Sequence, residues 1–426
     1  MRGCVEEFHP AIGFSPGEST KKPGLMEEDR ISQLPDQILQ QILSLLDTNQ
    51  ALQTTILSTR WKTLSHTLPD LRFHLSRFAP SNNPKTAQPL SHRFSHFVTR
   101  LLSLRDGTAP IHNFHLSFDT HLLIHADQSF IEKCILYAVN HRVESLRLHA
   151  RCRPDITLPA AFFASTTLRE LELRQLGRVI CSPEKLSLPY LKTLFLDGCW
   201  FGHGDYYDPP LKEPFSGFPE LEKLTLRRCV FYELVVKAPK LRFLEIVDES
   251  LYAYGMEEIS APLLTSFRYE AKLPFHCSKV DLPMLEEVYL DINYKQQPDN
   301  IYNYVNPTTM TLRCVRMFHL LGNAKIVALT LDTVKVLEKY RGLIEESPCP
   351  FPYLKCLKVM KGRREITTVL RRVMNYLTEG TLYFDSLVML LPQDVTVVEK
   401  NSDDLFEDES DEQQLELLFG IEDEII

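Results

Sequence analysis

The sequence predicts an α/β chain: a small all-α helical module followed by a solenoid, a curved parallel β-sheet with helices and loops on its convex side. Two observations predict it. Residues 29–66, DRISQLPDQILQQILSLLDTNQALQTTILSTRWKTLSH, place apolar residues at helical spacing. From Val143 onward an L-x-x-L-x-L pattern recurs, with starts 25, 23, 30, 20, 23 and 21 residues apart up to Leu285, which brackets the period of leucine-rich repeats.

Within the module, Pro35 suits a first helical position and Asp36 the positive first turn. Ile38, Leu39, Ile42, Leu43, Leu45 and Leu46 then make an amphipathic helix. Asp47 to Asn49 break it and cap a second helix through Leu52 and Ile56, and Ser58 caps a third carrying Trp61 and Leu64. Three short helices bury too little surface to stand alone, so part of their apolar stripe meets another surface, either the rest of this chain or a partner.

D-R-I-S-x-L-P-D-x-I-L at 29–39, followed by L-S-T-R-W-K-x-L at 57–64, resembles the plant-type F-box. The resemblance implies docking on a Skp-type adaptor and, through it, a cullin scaffold of an SCF-type ubiquitin ligase. Carried over by position, it implies adaptor contacts at Leu34, Pro35, Ile38, Leu39, Ile42, Leu43, Leu57 and Trp61. Gln37, Thr59 and Ser65 depart from the usual acid, Lys and Trp of that pattern.

Amphipathic helices are expected around Phe94 to Leu104 and Phe130 to Val139. The repeat copies are Val143-Leu146-Leu148, Leu168-Leu171-Leu173, Leu191-Leu194-Leu196, Leu221-Leu224-Leu226, Leu241-Leu244-Ile246, Leu264-Phe267-Tyr269 and Leu285-Val288-Leu290. Further copies are read at Ile326-Leu329-Leu331 and Leu354-Leu357-Val359, with a weaker one at Ile111-Phe114-Leu116. Cys199 and Cys229 fall at the N/C position of the consensus and are expected to be structural. In each L-x-L strand the middle residue points away from the leucine core. That set, Arg147, Glu172, Phe195, Thr225, Glu245, Arg268 and Tyr289, is the expected substrate-binding face, with Tyr206 and Tyr207 in the loop FGHGDYYDPP as added contacts. F-P-Y-L-K-C-L-K-V at 351–359 and a helical stretch through Val369, Val373 and Leu377 resemble the FBD region that ends many plant-type F-box/LRR proteins.

The expected division is a leader at 1–28, the F-box at 29–75, a helical linker and irregular first repeat at 76–140, and repeats at 141–348. An FBD-like region at 349–400 and an acidic tail at 401–426 follow. The tail carries eleven Asp or Glu and no Lys or Arg, so the net charge of -9 leaves the other 400 residues at +2. A near-neutral body argues against a nucleic-acid partner. Ten scattered cysteines without a C-x-x-C pair, no signal peptide and no long apolar run favour a reduced intracellular setting, nucleus or cytoplasm, with no membrane contact.

Phosphate-binding loops and hydrolase elbows are absent from the sequence. His112, His115, His121 and His125 with Asp119 and Asp127 match no common zinc spacing, so no metal and no cofactor is expected. His92 and His96 read as solvent-facing. The expectation is a non-catalytic receptor subunit: the F-box holds the adaptor and the solenoid holds a target protein for ubiquitination. The alternative is an LRR interaction scaffold with no ubiquitin-ligase role.

Overall fold

The computed structural model describes residues 30–398 apart from residue 32 and the segments 79–86, 120–123, 153–155, 181–186, 203–212, 232, 249–254, 294–306, 339–340, 364–367 and 391–395. Tyr206, Tyr207, the leader and the acidic tail therefore lie outside the described residues.

Three helices open it: α1 (Asp36–Ser44), α2 (Thr48–Gln53) and α3 (Thr59–His66). Pro35 is the residue before α1 rather than its first member, with extended ψ. Asp47 and Gln50 form a reciprocal capping box on α2, and the Ser58 hydroxyl accepts from the Trp61 N–H to start α3. A short 3₁₀ turn, Thr54–Ile56, takes the place of the expected second half of the middle helix.

Among the described residues, twelve strands then run in chain order across one parallel sheet, from Asp70–His74 and Asn113–Ser117 at one end to Cys356–Met360 and Ser386–Leu390 at the other, and a thirteenth, Ile156–Thr157, pairs with Glu170–Ile180 off this path. Parallel neighbours need a crossover on one side of the sheet. Here the crossovers include the helices Gln128–Asn140 and Pro307–Leu320, and a second three-stranded parallel sheet made by Leu234–Lys237, Gly255–Ser260 and His276–Asp281.

Register explains why leucine recurs. Leu71, Phe114, Leu146, Leu171, Leu194, Leu224, Leu244, Phe267, Val288, Val327 and Leu357 are Cα partners strand by strand, and none is more than 4% exposed. The next inward position gives a parallel row from Phe73 to Val359. Two such rows make one continuous core, because each strand covers the apolar face that its neighbour cannot cover alone.

The register also corrects the sequence reading. Val327 and Leu329 are the partners of Val288 and Leu290, so that copy is Ala324-Val327-Leu329 and not Ile326-Leu329-Leu331. Ile326 pairs with Glu287 on the opposite face, and Leu331 begins a helix capped by Thr330. A copy also precedes those read from the pattern: Leu68-Leu71-Phe73 is buried and supplies the first strand, within the stretch expected to be only helical.

The helical module is built onto this end. Leu39, Leu43, Ala51, Trp61, Leu64 and Leu68 belong to the same core cluster as the solenoid rows. The outer edge of the first strand is met by α2, whose Thr48 hydroxyl accepts from the Arg72 N–H at 2.7 Å. Behind the junction the buried Arg105 guanidinium donates to the carbonyls of Leu68, Ala109 and Pro110 at 2.9, 2.6 and 2.8 Å. Leu224→Ala in the middle of the row should cost about 2–5 kcal/mol, read as a fall in the urea midpoint. A change under about 0.5 kcal/mol would contradict the continuous core.

Candidate docking surfaces

Two surfaces could receive a partner: the outer side of the helical module and the sheet face opposite the buried rows.

In the module, the eight residues implied as adaptor contacts separate into two groups. Leu39, Leu43 and Trp61 are buried in the shared core, at 0%, 1% and 7% exposure, where they position the helices. Leu34 is half-buried against the same core. Pro35, Ile38, Ile42 and Leu57 are exposed. Ile38 and Ile42 are four residues apart and Leu45 a further three, so they share one face of α1. Leu45 is 78% exposed and Ile56, beside Leu57, is 87% exposed. These two escaped the carried-over set, although spacing of 38, 42 and 45 could have found Leu45.

The Leu34-Pro35 entry is held by Arg60. Its guanidinium reaches the Leu34 carbonyl at 2.5 Å and the Asp36 carboxylate at 2.7 Å, tying the start of α1 to α3. The Arg-Trp pair thus has divided labour: Arg60 sets the turn, and Trp61 fills the space beneath.

On the sheet, Arg147, Glu172, Phe195, Thr225, Glu245, Arg268 and Tyr289 form one cross-strand row on the open face. The row extends to Arg72 and His115 on one side and to Ala328 and Lys358 on the other. Thr225 and Glu245 are nonetheless 2% and 8% exposed, so neither offers free surface. Strands lie about 4.8 Å apart, close enough for long side chains to arch over their neighbours. Arg227 and Arg268 close on Glu245 at 3.0 and 3.3 Å. Arg174 stacks over Phe195 at 4.4 Å and Arg268 over Tyr289 at 3.9 Å.

The next outward position along these strands holds His149, Arg174, Asp197, Arg227, Val247, Glu270 and Asp291, of which Asp197 and Asp291 are buried. Glu172 accepts from His149 at 2.7 Å and Arg174 at 2.5 Å; burial would raise its carboxyl, but these hydrogen bonds hold it down at about 2. Arg228 forks onto Asp197 at 2.8 and 2.7 Å from a left-handed backbone, φ 48°, the position that Gly198 fills one repeat earlier with φ 63°. Cys199 and Cys229 follow these two turns, buried, each thiol pushed up by desolvation and donating to a backbone carbonyl.

The histidines gather differently from their order in the chain. His115 lies edge-on between His74 and His149, with ring centroids 4.5 and 4.9 Å away. His112 is exposed, His125 sits on a two-residue strand, Asp119 is exposed, Asp127 caps the helix Gln128–Asn140, and His121 lies outside the described residues. Among the described residues no group of three His, Cys, Asp or Glu could hold a metal ion. His92 and His96 are exposed on the helix Ala87–Leu104. Also among the described residues, no helix is long and apolar enough to cross a membrane.

Burial, with its two histidine neighbours, pushes His115 down to about 3. The unfolded chain then takes a proton near pH 6.5 that the folded chain refuses until about 3, so stability present above pH 6.5 drains as pH falls through that window. His115→Gln should therefore gain on the parent between pH 6.5 and 3, and not above 6.5, in urea titrations across pH. A constant difference across the range would show that His115 is not held neutral.

The F-box domain model matches residues 31–73, which spans α1 to α3 and the first strand of the sheet. The chain is similar to putative F-box/LRR-repeat proteins of Arabidopsis thaliana. One is 29% identical over 68% of this chain and 65% of its own length. A second is 30% identical over 71% and 55%, and a third 28% identical over 73% and 72%. The chain thus spans between about half and two thirds of the first two. The chain carries an F-box domain seated on the first of a series of in-register leucine-rich strands, and over about 70% of its length it is similar to plant F-box/LRR-repeat proteins.

Proposed function

We propose that the protein is the substrate-recognition subunit of an SCF-type ubiquitin ligase. The exposed face of its F-box docks on a Skp-type adaptor, and the open face of its sheet holds a target protein. The observation that carries this reading is the set of exposed apolar side chains, Ile38, Ile42 and Leu45 along α1 and its C-cap and Ile56 and Leu57 at the 3₁₀ turn, which stays exposed although the same helices have already buried Leu39, Leu43 and Trp61 in the solenoid core. A module that served only to cap the sheet would have no use for it, since exposed apolar patches mark interaction sites.

The target surface is mixed in charge, with two aromatic rings lying under guanidinium groups. Such a face suits a folded protein better than a polyanion. The subunit's contribution is proximity: it brings a target lysine near an activated ubiquitin, and other subunits perform the acyl transfer. The FBD-like stretch supplies the strand Cys356–Met360 and the helix Arg371–Thr378, and its part in this reading is to extend the solenoid.

Ile42→Glu with Ile56→Glu should weaken binding to a Skp-type adaptor by at least about tenfold, roughly 1.4 kcal/mol, while leaving the urea midpoint near the parent value. Trp61→Ala should instead lower the urea midpoint, as loss of a buried aromatic costs about 3–5 kcal/mol. Undiminished adaptor binding by the double Glu variant would contradict docking on this face, and no adaptor binding by the parent chain would remove the receptor reading and leave a scaffold that only binds other partners.

A further inference from the structure

The two ends of the solenoid are finished differently. At the first strand the inward residues Leu71 and Phe73 are at most 1% exposed, with α2 meeting that strand and Phe97 of the helix Ala87–Leu104 edge-on to Phe73 at 6.5 Å. At the last strand, Ser386–Leu390, the inward position is Leu387, the partner of Leu357. Leu357 is fully buried and Leu387 is 44% exposed. Phe384, which repeats the fully buried Leu354, is 37% exposed, and Leu382 and Tyr383 beside it are more exposed still. The chemistry of a core row therefore continues one strand beyond the atoms that cover it. Among the described residues that strand also has no hydrogen-bonded neighbour on its outer side, which leaves a row of backbone N–H and C=O groups open. Solenoids need a capping element at such an end.

We propose that residues 401–426 of this same chain supply it. Three facts select that occupant. The segment is acidic, with eleven Asp or Glu and no Lys or Arg, whereas residues 349–398 hold seven Lys or Arg against four Asp or Glu. Lys355, Lys361, Arg371 and Arg372 are exposed in that stretch; Lys355 pairs with the start of the last strand through its carbonyl, and Arg372 also meets Glu345 at 3.0 Å. Second, the acidic run is not uniformly polar: Leu415-Glu416-Leu417-Leu418-Phe419-Gly420-Ile421 carries five large apolar side chains in seven residues, a segment long enough to lie along the five-residue last strand. Third, the described chain leaves from the strand Thr396–Val398, and the 16 residues before Leu415 can span about 50 Å, far more than the step to a neighbouring strand. The apolar stretch covers Phe384 and Leu387, and the acidic residues around it meet the basic surface of the last repeats.

The test compares the full chain with a chain ending at residue 400, by hydrogen exchange followed peptide by peptide. In the full chain the amides of 386–390 should exchange at least about tenfold more slowly than in the shortened one. A synthetic peptide of residues 401–426 added to the shortened chain should restore the slow exchange, and about 0.5 M salt should weaken that rescue. Leu417→Asp with Phe419→Asp in the full chain serves if the shortened chain does not fold; it should speed exchange at 386–390 and leave 224–226 unchanged. Equal exchange at 386–390 with and without an intact tail overturns the proposal. So does protection that grows with protein concentration, which would make a second copy of the chain the cover. Neither result depends on the adaptor, so the docking reading stands or falls separately.

Discussion

Everything in this molecule depends on one condition: the two inward rows of apolar side chains must be covered along their whole length. No single strand meets that condition alone, since a five-residue strand with two buried side chains has almost no core of its own. Stacking meets it in the middle of the sheet, where the row from Leu71 to Leu357 runs in register without a break. At the first strand the F-box meets it, so this domain is also a structural end piece. The same three helices turn Leu39, Leu43 and Trp61 inward and leave Ile38, Ile42 and Leu45 outward. Alternating faces of one helix are what allow the F-box to hold the solenoid and still present a surface.

This coupling has a mechanical consequence. Arg60 fixes the Leu34-Pro35 turn to α3, Trp61 of α3 packs into the core, and Arg105 ties the junction to three carbonyls. The F-box is therefore not a bead on a linker but a continuation of the repeat stack. A target held on the open face would then keep a fixed orientation to an adaptor held on the helices, which is the geometry that proximity catalysis rewards.

Most of the solenoid could be read from the chain because strand periodicity and repeat length act together: an L-x-L at a spacing near 23 residues leaves little else to explain it. The reading failed where a residue satisfied the pattern two positions late. Leu331 completes Ile326-x-x-Leu329 as a string, but the small Ala324 holds the true first position, and only register shows it. The first strand was hidden because its residues also belong to the F-box match. On the open face, parity predicted the row from Arg147 to Tyr289 but not its coverage, since Thr225 and Glu245 are buried by side chains from neighbouring strands. In the F-box, pattern transfer named positions without saying which way each points. Leu39 and Ile38 are adjacent in sequence and opposite in role.

Hydrogen exchange of the full chain with and without a Skp-type adaptor tests most directly whether docking uses a surface separate from the buried side of the F-box. Slower exchange confined to α1 and the turn at 54–57 is expected, with the strands from Ser145 to Ile292 unchanged. Protection on those strands instead, or none on α1, would contradict it.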